Sequence, residues 1–301
     1  MSSLKAISIG TFDAIHVGHQ AIISSARQAV GQQGIVAFHS FDPPPLSVLK
    51  PALPFHRLTA IDNRVALLNS YGVDEVKVLR PTHSLLELSP EAFVMDLVEK
   101  HQPDVIVEGE NFRFGKGRSG TVKTFESLGE VHGFKVISVA QVERTMKDHS
   151  VVQVSSSLVR WLLQHGRVED AATLLGRSYA VSGTVARGDQ RGRTIGFPTA
   201  NMSGIQTMLP MDGVYAGEAT IEGTTYPVAL SIGTKPTFED GSASCEAHIV
   251  GFDGEIGHYG WELTVTITAW IRNQVKFDTI EALIEAIQKD VKRTLELESI
   301  V

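Results

Sequence analysis

The residues between Gly10 and His19 combine two histidines with two glycines and an aspartate, at the junction of a predicted strand and a predicted helix. His16 and His19 are three residues apart at the start of that helix, so their side chains face the same way. Both imidazoles can donate hydrogen bonds to phosphate oxygens, and a helix N-terminus adds a field that favours anions. A turn with two solvent-facing histidines is the usual explanation of a bare His-x-x-His pair. The glycines, Asp13 and the strand-to-helix junction favour a phosphate site.

A run of hydroxyls followed by an arginine, Ser155-Ser156-Ser157-Leu158-Val159-Arg160, opens another predicted helix. Small hydroxyls at a helix start cap its free N–H groups. An arginine one turn later can hold a phosphate through two parallel hydrogen bonds. An ordinary N-cap beside a surface arginine explains the same residues when they are considered alone.

A glycine-rich segment from Gly188 to Asn201 is the third candidate, and it lacks the Gly-Lys-Ser/Thr ending of a Walker A loop. Backbone N–H groups of such a loop can still wrap phosphates. Thr199 and Asn201 carry neutral oxygens two residues apart, which lie on one side of an extended segment. Magnesium accepts such ligands beside waters and substrate phosphates. A β-turn loop with Pro198 as its rigid corner explains the spacing equally well.

Short apolar strands alternate with helical patterns through the first half of the chain. The predicted strands cover residues 6–9, 34–38, 75–79, 105–107 and 135–139. Helices are predicted between them, for example over residues 90–100. This alternation favours a parallel sheet with helices on both faces. Ligands of open α/β sheets bind at the carboxyl ends of the strands, where the first histidine segment lies.

The second half has the pattern of an antiparallel sheet, with apolar and polar residues alternating along the chain. The predicted strands cover residues 181–185, 214–221, 226–232, 246–250 and 261–271. A closing helix is predicted with Asp278 as its N-cap and Glu281 three residues later. Its predicted buried stripe consists of apolar residues at helical spacing, namely Ile280, Leu283, Ile284, Ile287, Val291 and Leu295.

Length and composition indicate a two-domain globular protein. The chain has 301 residues, 43% hydrophobic and 20% charged, which excludes global disorder, collagen and coiled coil. We place the boundary near residue 178, giving domains of residues 1–177 and 178–301. Since 27 basic and 34 acidic residues give a net charge of −7, broad binding to nucleic acid or anionic membranes is disfavoured.

The single cysteine and the residues at the start of the sequence indicate the cellular compartment of the protein. Cys245 alone cannot form an intrachain disulfide or a cysteine zinc site. Neither a signal-peptide pattern at the start nor an apolar run of about 18 to 20 residues is present in the sequence. These features predict a cytoplasmic protein.

Together these motifs resemble two known signatures. The segment at 10–19 resembles the Gly-x-Phe-Asp-Gly-x-His-x-Gly-His signature of nucleotidyltransferases, and 155–160 resembles the Ser-Ser-Thr-x-Ile-Arg motif that closes that domain. The segment at 192–201 resembles the Gly-Arg-x-x-Gly-Phe-Pro-Thr-Ala-Asn signature of riboflavin kinases. Further matches follow in family order at 213–217, 231–237, 245–248, 259–260, Arg272 and 276–278. The whole chain resembles bacterial bifunctional riboflavin kinase/FAD synthetase.

For the C-terminal half, the resemblance implies a small six-stranded antiparallel barrel with a terminal helix. It implies phosphorylation of riboflavin at its ribityl 5′-hydroxyl by ATP and magnesium. Glu246 would be the general base, and Thr199 and Asn201 would hold the magnesium. The implied nucleotide-binding residues of this half are Gly188, Gly192, Arg193, Gly196, Pro198, Thr199 and Asn201.

For the N-terminal half, the resemblance implies a Rossmann-like nucleotidyltransferase domain that joins FMN to the AMP part of a second ATP. His16 and His19 would stabilise the transferring phosphates, and Arg160 would steady the leaving pyrophosphate. The implied nucleotide-binding residues are Gly10, Phe12, Asp13, Gly18, Asn111, Ser155, Ser156 and Ser157. The implied small-molecule partners of the chain are ATP, riboflavin and FMN.

Three departures from the family pattern keep other functions open. Ala14 replaces a glycine, and it is strained if the loop needs a positive φ. Pro44 replaces a histidine, and Arg80-Pro81 stands where a Phe-Asp or Phe-Asn pair is common. One alternative is a riboflavin kinase with a regulatory or flavin-binding N-terminal domain. Another is a transferase that acts on a different small phosphate ester.

Overall fold

The computed structural model describes residues 3–188, 191–234, 243–253 and 259–298. The chain forms two compact units, residues 1–156 and 157–301. In chain order, the first unit contains β1 (Lys5–Gly10), α1 (Val17–Val30), β2 (Ile35–Phe41), α2 (Pro45–Leu49), α3 (Ile61–Ser70), β3 (Glu75–Leu79), α4 (His83–Leu86), α5 (Pro90–His101), β4 (Val105–Gly109), β5 (Arg113–Phe114), a 3-10 turn (Lys116–Arg118), β6 (Gly120–Thr121), α6 (Val122–His132), β7 (Lys135–Val139), β8 (Glu143–Thr145) and β9 (Val151–Gln153).

The first unit is built on a parallel sheet with strand order β3-β2-β1-β4-β7, which confirms the predicted strands. One apolar core packs α1 against the sheet through Ile22, Ile23 and Ala26. A second core on the other face contains Val94 of α5 and Phe125 of α6. Strand pairing between β1 and β4 covers only Ala6–Ile7 against Val105–Ile106. The two strands therefore separate at their carboxyl ends, where the order of connections reverses.

The second unit is a closed antiparallel barrel with a terminal helix. Helix α7 (Ser156–Gln164) crosses the division between the units, and the remaining elements are α8 (Val168–Leu175), β10 (Tyr179–Ala186), α9 (Arg191–Thr194), β11 (Ala200–Ser203), β12 (Gly213–Ile221), β13 (Thr224–Thr234), β14 (Ala243–Ile249), β15 (Glu262–Arg272) and α10 (Ile280–Glu298). The barrel order is β10-β11-β14-β13-β12-β15. The predicted period-two burial of β15 is confirmed, with Leu263, Val265 and Ile267 buried.

The prediction for the closing helix is wrong in two details. Thr279, not Asp278, is the N-cap, since its hydroxyl accepts the Ala282 N–H at 3.2 Å. The predicted buried stripe is also wrong, since Leu283, Ile284, Ile287 and Val291 are only half-buried. At its two ends, Ile280 is 61% and Leu295 is 43% exposed.

Two polar side chains of this helix are more deeply buried than its predicted stripe. Asp290 is buried and accepts two hydrogen bonds from the Arg272 guanidinium, at 2.8 and 2.7 Å. Thr294 is buried one turn later. Val291 and Leu295 line an open groove of about 410 Å³ together with Phe197.

The helical segment before the barrel belongs by packing to the second unit, whose first residue is Ser157. The predicted functional boundary near residue 178 coincides with the start of β10 and stays a prediction. Within the described ranges, every helix is too short or too polar to cross a lipid bilayer.

Candidate functional sites

The loop between β1 and α1 has a left-handed backbone conformation that is unfavourable for non-glycine residues. Phe12, Ala14 and Ile15 all have positive φ angles, of 48°, 77° and 44°. The strain predicted at Ala14 is therefore present, because an L-residue in this region is crowded by its own Cβ. The Ala14 N–H donates to the Thr59 hydroxyl at 2.8 Å, which supports this conformation from outside the loop.

The two histidines at the end of this loop are brought together as predicted. Their rings stack with centroids 3.7 Å apart and planes 16° from parallel. His16 is the N-cap of α1, and its Nδ1 accepts the His19 backbone N–H at 3.3 Å. Because Nδ1 is an acceptor, the neutral His16 ring carries its proton on Nε2 and can donate from there. Gly18 leaves room for this ring, since a Cβ there would lie 3.1 Å from His16 Nδ1.

His19 is neutral at pH 7. Burial first, and then the neighbouring His16 and Arg64, hold the pKa of His19 well below its usual value. Among the described residues, its buried Nδ1 has no hydrogen-bond partner. A neutral, buried donor at a helix N-terminus can hydrogen-bond an anion without the desolvation cost that a charged imidazole would have.

Two other residues predicted to bind nucleotide in this loop turn their side chains inward. Asp13 is 2% exposed, and its carboxylate accepts the N–H groups of Leu58 and Thr59 at 3.0 to 3.2 Å. Phe12 is buried against Phe38, with ring centroids 4.6 Å apart. Both side chains support the loop, so any contact of these residues with a nucleotide would come from the backbone.

The serine run is linked to the same loop. Ser156 donates its hydroxyl to the Asp13 carbonyl at 2.8 Å, and Ser155 precedes it in the first unit. Ser157 and Arg160 lie in the second unit on α7. The predicted role of Arg160 at the pyrophosphate stays a prediction.

Asn111 lies just beyond the carboxyl end of β4, the neighbour of β1 in the sheet, and is exposed. The phenylalanines that follow pack inward. Phe112 and Phe114 stack on Phe125 with centroid distances of 5.9 and 4.1 Å. Among the residues predicted here, Asn111 is therefore available to a ligand while the aromatic rings form core.

The barrel site is set by strand register. Asn201 of β11 lies directly opposite Glu246 of β14. Their chain neighbours Met202, Cys245 and Ala247 are buried inside the barrel. Because side chains alternate along a strand, Asn201 and Glu246 face outward together. Thr199 joins them, with its Oγ1 donating to Glu246 Oε2 at 3.4 Å.

Two glycines of the glycine-rich segment make close approaches beside this cluster. A Cβ on Gly188 would lie 2.3 Å from the Asn201 side chain, and one on Gly192 would lie 2.3 Å from the Phe197 carbonyl oxygen. The Phe197 N–H donates to the Gly192 carbonyl at 2.8 Å. Gly196 has a φ of 88°, and Arg193 is exposed on α9. Asp189, Gln190 and the matched residues 235–237 lie outside the described residues.

The oxygens of this cluster fit a hard divalent cation. Thr199 supplies a hydroxyl, Asn201 an amide oxygen, and Glu246 a carboxylate on the same face. Magnesium prefers oxygen ligands and keeps several waters or substrate phosphates. Among the described residues no group of three or more histidine, cysteine or acidic side chains could hold a metal, so a cation here would use the two neutral oxygens beside, at most, this one carboxylate.

Sequence reasoning missed two buried charged residues of the first unit. Arg64 of α3 is fully buried, and nothing in its helical spacing distinguishes it from a surface arginine. Glu108 ends the apolar run of β4, a position that could have indicated burial. Burial raises the pKa of Glu108 well above its usual value, although the Ile9 N–H donates to its carboxylate at 2.6 Å.

Comparison with known proteins assigns the family. The FAD synthetase model matches residues 2–157 and the riboflavin kinase model matches residues 175–297. The bifunctional riboflavin kinase/FMN adenylyltransferase of Listeria monocytogenes is 34% identical over 296 residues, covering 96% of this chain and 91% of that protein. The Bacillus subtilis protein of the same name is 33% identical over 297 residues, with the same two shares covered.

One solved structure matches nearly the whole fold. A macrolide-efflux protein from Streptococcus pneumoniae has a TM-score of 0.86 and 28% identity, covering 98% of this chain and 94% of that chain. We take the fold alone from this likeness. With both family models matched in order and relatives above 30% identity over almost the full length, this chain belongs to the bifunctional riboflavin kinase/FMN adenylyltransferase family.

Proposed function

We propose that this chain phosphorylates riboflavin to FMN on its barrel unit and joins FMN to AMP on its sheet unit. The observation that carries the proposal is the pair of separate polar clusters. Stacked histidines lie beyond the carboxyl end of the central strand β1, and a threonine, asparagine and glutamate lie on a barrel face, each cluster within the segment that one family model matches. We include in it the functional boundary near residue 178 and a cytoplasmic location.

In the kinase reaction, the 5′-hydroxyl oxygen of riboflavin attacks the γ-phosphorus of ATP, and ADP leaves. Glu246 is the group that accepts the hydroxyl proton, because its carboxylate is held beside Thr199 on an accessible face. Thr199 and Asn201 would hold magnesium, which neutralises phosphate charge when bound. The apolar sides of the groove at Phe197, Val291 and Leu295 suit the flavin ring.

In the adenylyl reaction, a phosphate oxygen of FMN attacks the α-phosphorus of a second ATP, and pyrophosphate leaves. His16 and His19 donate to phosphate oxygens whose charge grows as the bond to pyrophosphate breaks. The geometry that supports this role is the stacked pair at the helix N-terminus. Arg160 steadies the pyrophosphate, and Asn111 with the serines borders the nucleotide.

A product time course tests the proposal. Purified protein with riboflavin, ATP and magnesium is sampled by chromatography, and pyrophosphate release is followed with FMN and ATP alone. We expect FMN to form first and FAD to follow, with both reactions lost in EDTA and restored by magnesium. Formation of FMN without any FAD or pyrophosphate would contradict the adenylyl reaction and support the alternative of a riboflavin kinase with a regulatory N-terminal unit.

A further inference from the structure

Arg64 joins three separate segments of the first unit at the histidine loop. Its side chain is completely buried. One guanidinium nitrogen, Nη1, donates to the carbonyls of Thr11 and Phe41 at 3.0 and 3.1 Å. The other, Nη2, donates to the Thr59 carbonyl at 3.2 Å. These carbonyls belong to the end of β1, the end of β2 and the entry to α3.

A hydroxyl completes this arrangement. Ser40 lies 3.3 Å from Arg64 Nη1 and donates its own proton to the Thr11 carbonyl at 3.0 Å. The Thr11 carbonyl therefore accepts from both side chains. It is the last carbonyl before Phe12, where the positive φ angles begin.

The buried charge of Arg64 is balanced by two carboxylates. Nη2 lies 3.7 Å from Asp13 Oδ1 and 3.6 Å from Asp42 Oδ1. Asp42 is also paired with Arg57 at 3.1 Å. A buried charge is stable only when it is paired and hydrogen-bonded, and removing one partner exposes the full desolvation cost of the others.

We propose that Arg64 is a positioning residue for adenylyl transfer, which holds the loop at residues 11–15 so that His16 and His19 stay stacked toward the phosphates. This inference rests on the proposed function of the sheet unit. Left-handed backbone at three non-glycine residues persists only where surrounding contacts over-determine it. Arg64 supplies such contacts at the start of the loop, through Thr11, and in its middle, through Asp13.

The charge of Arg64 allows its positioning role to be tested by the pKa of His19, which a purely packing role would not change. The titratable and charged groups around His19 are His16 in the same loop and Arg64 from α3, with Asp13 and Asp42 balancing Arg64. A positive charge nearby disfavours protonation of an imidazole. A neutral residue at position 64 therefore raises the pKa of His19, whereas lysine preserves the effect.

The test compares Arg64→Met and Arg64→Lys with Arg27→Met. Arg27 is a matched control, because its guanidinium also donates to three carbonyls, those of Gly31, Gly34 and Gly72, in the same unit. Adenylylation of supplied FMN, riboflavin phosphorylation and the His19 pKa by NMR are measured on the full chain. Riboflavin phosphorylation reports whether the barrel unit of each variant is intact.

We expect Arg64→Met to lower kcat for adenylylation by about 100-fold with a smaller change in KM for ATP, as for a small misplacement of reacting groups. Arg64→Lys recovers part of kcat and keeps the His19 pKa low. Arg27→Met loses stability but keeps adenylylation within about 2-fold at a temperature where it is folded. Phosphorylation of riboflavin is unchanged in all three.

A folded Arg64→Met protein with wild-type adenylylation would overturn the inference and leave the proposed function standing. A wild-type protein that released no pyrophosphate would overturn the proposed function, and this role with it. If Arg64→Met does not fold, the Ser40→Ala variant tests the inference instead. We expect Ser40→Ala to lower adenylylation kcat by about 5-fold through the lost hydrogen bond to Thr11, and an unchanged kcat would contradict the inference.

Discussion

In the sheet unit the histidines follow a loop whose backbone is held against its own preference, whereas in the barrel Asn201 and Glu246 obtain their spacing from strand pairing. The loop needs buried polar contacts from α3 to keep its shape, and the strands need only their register. The two designs differ in what a substitution removes. A substitution on the barrel face removes a reacting or binding group, whereas a substitution behind the loop leaves the histidines present but changes their position.

The largest effect is expected at Glu246. Glu246→Gln keeps the shape of the side chain but removes the proton acceptor, so riboflavin phosphorylation falls by about 1,000-fold or more. Adenylylation of supplied FMN stays near the wild-type rate, as measured by pyrophosphate release. Loss of both reactions in a folded Glu246→Gln protein would show that the two sites are not separate.

His19→Ala is expected to do the reverse with a somewhat smaller effect. Removing one phosphate donor lowers adenylylation by about 100- to 1,000-fold. Riboflavin phosphorylation, measured as FMN formation in the same sample, remains as control. If adenylylation survives this change, the histidine pair does not stabilise the phosphates.

Polar burial in the sheet unit also predicts a response of stability to pH. Burial first, then His101, Lys77 and Lys5, lower the pKa of His39 to about 3, and its ring contacts His101 at a centroid distance of 4.3 Å. Unfolded histidine titrates near pH 6.5. Below that pH, His39 binds a proton in the unfolded chain but not in the folded chain. The free energy of unfolding therefore falls as the pH falls from about 6.5 toward 3.

We expect this histidine to cost about 2 kcal/mol of unfolding free energy between pH 7.5 and 5. Urea unfolding at the two pH values measures the loss, and His39→Gln should reduce it. His132, exposed in the last turn of α6, supplies the control variant His132→Gln. Equal pH dependence in wild type and His39→Gln would contradict the assignment.

The smallest effect is expected at Ala14. Ala14→Gly relieves the positive φ, worth about 1 kcal/mol, but adds a similar conformational entropy to the unfolded chain. The net change in unfolding free energy is therefore within about 1 kcal/mol. A stabilisation well above that value would mean that the loop stores more strain than its surroundings balance.

Local patterns were sufficient to predict several residues that the structure brings together in the two candidate sites. The histidine pair, the strand-to-helix junction and the Thr199–Asn201 spacing depend on neighbours in sequence, and the parallel sheet follows from alternating strands and helices. Strand β11 was not predicted, because it has only four residues, of which the first two end the glycine-rich motif, and so short a strand has no detectable period. The roles of Arg160 and of magnesium stay predictions.

Residues whose partners lie far away in sequence could not be predicted. Arg64 binds carbonyls up to 53 residues away, and backbone carbonyls leave no trace in residue type. The buried face of the last helix could not be predicted for a related reason. Its apolar stripe predicted burial, whereas the buried side chains are Asp290, which pairs with Arg272 from β15, and Thr294.

A mixing experiment tests the two-site account most directly. Glu246→Gln and His19→Ala proteins are each incubated with riboflavin, ATP and magnesium, alone and together, and FAD is measured by chromatography. We expect little FAD from either variant alone and near wild-type FAD from the mixture, because FMN made by the barrel unit of one variant can be used by the sheet unit of the other. A mixture of folded proteins that makes FMN but no FAD would contradict it.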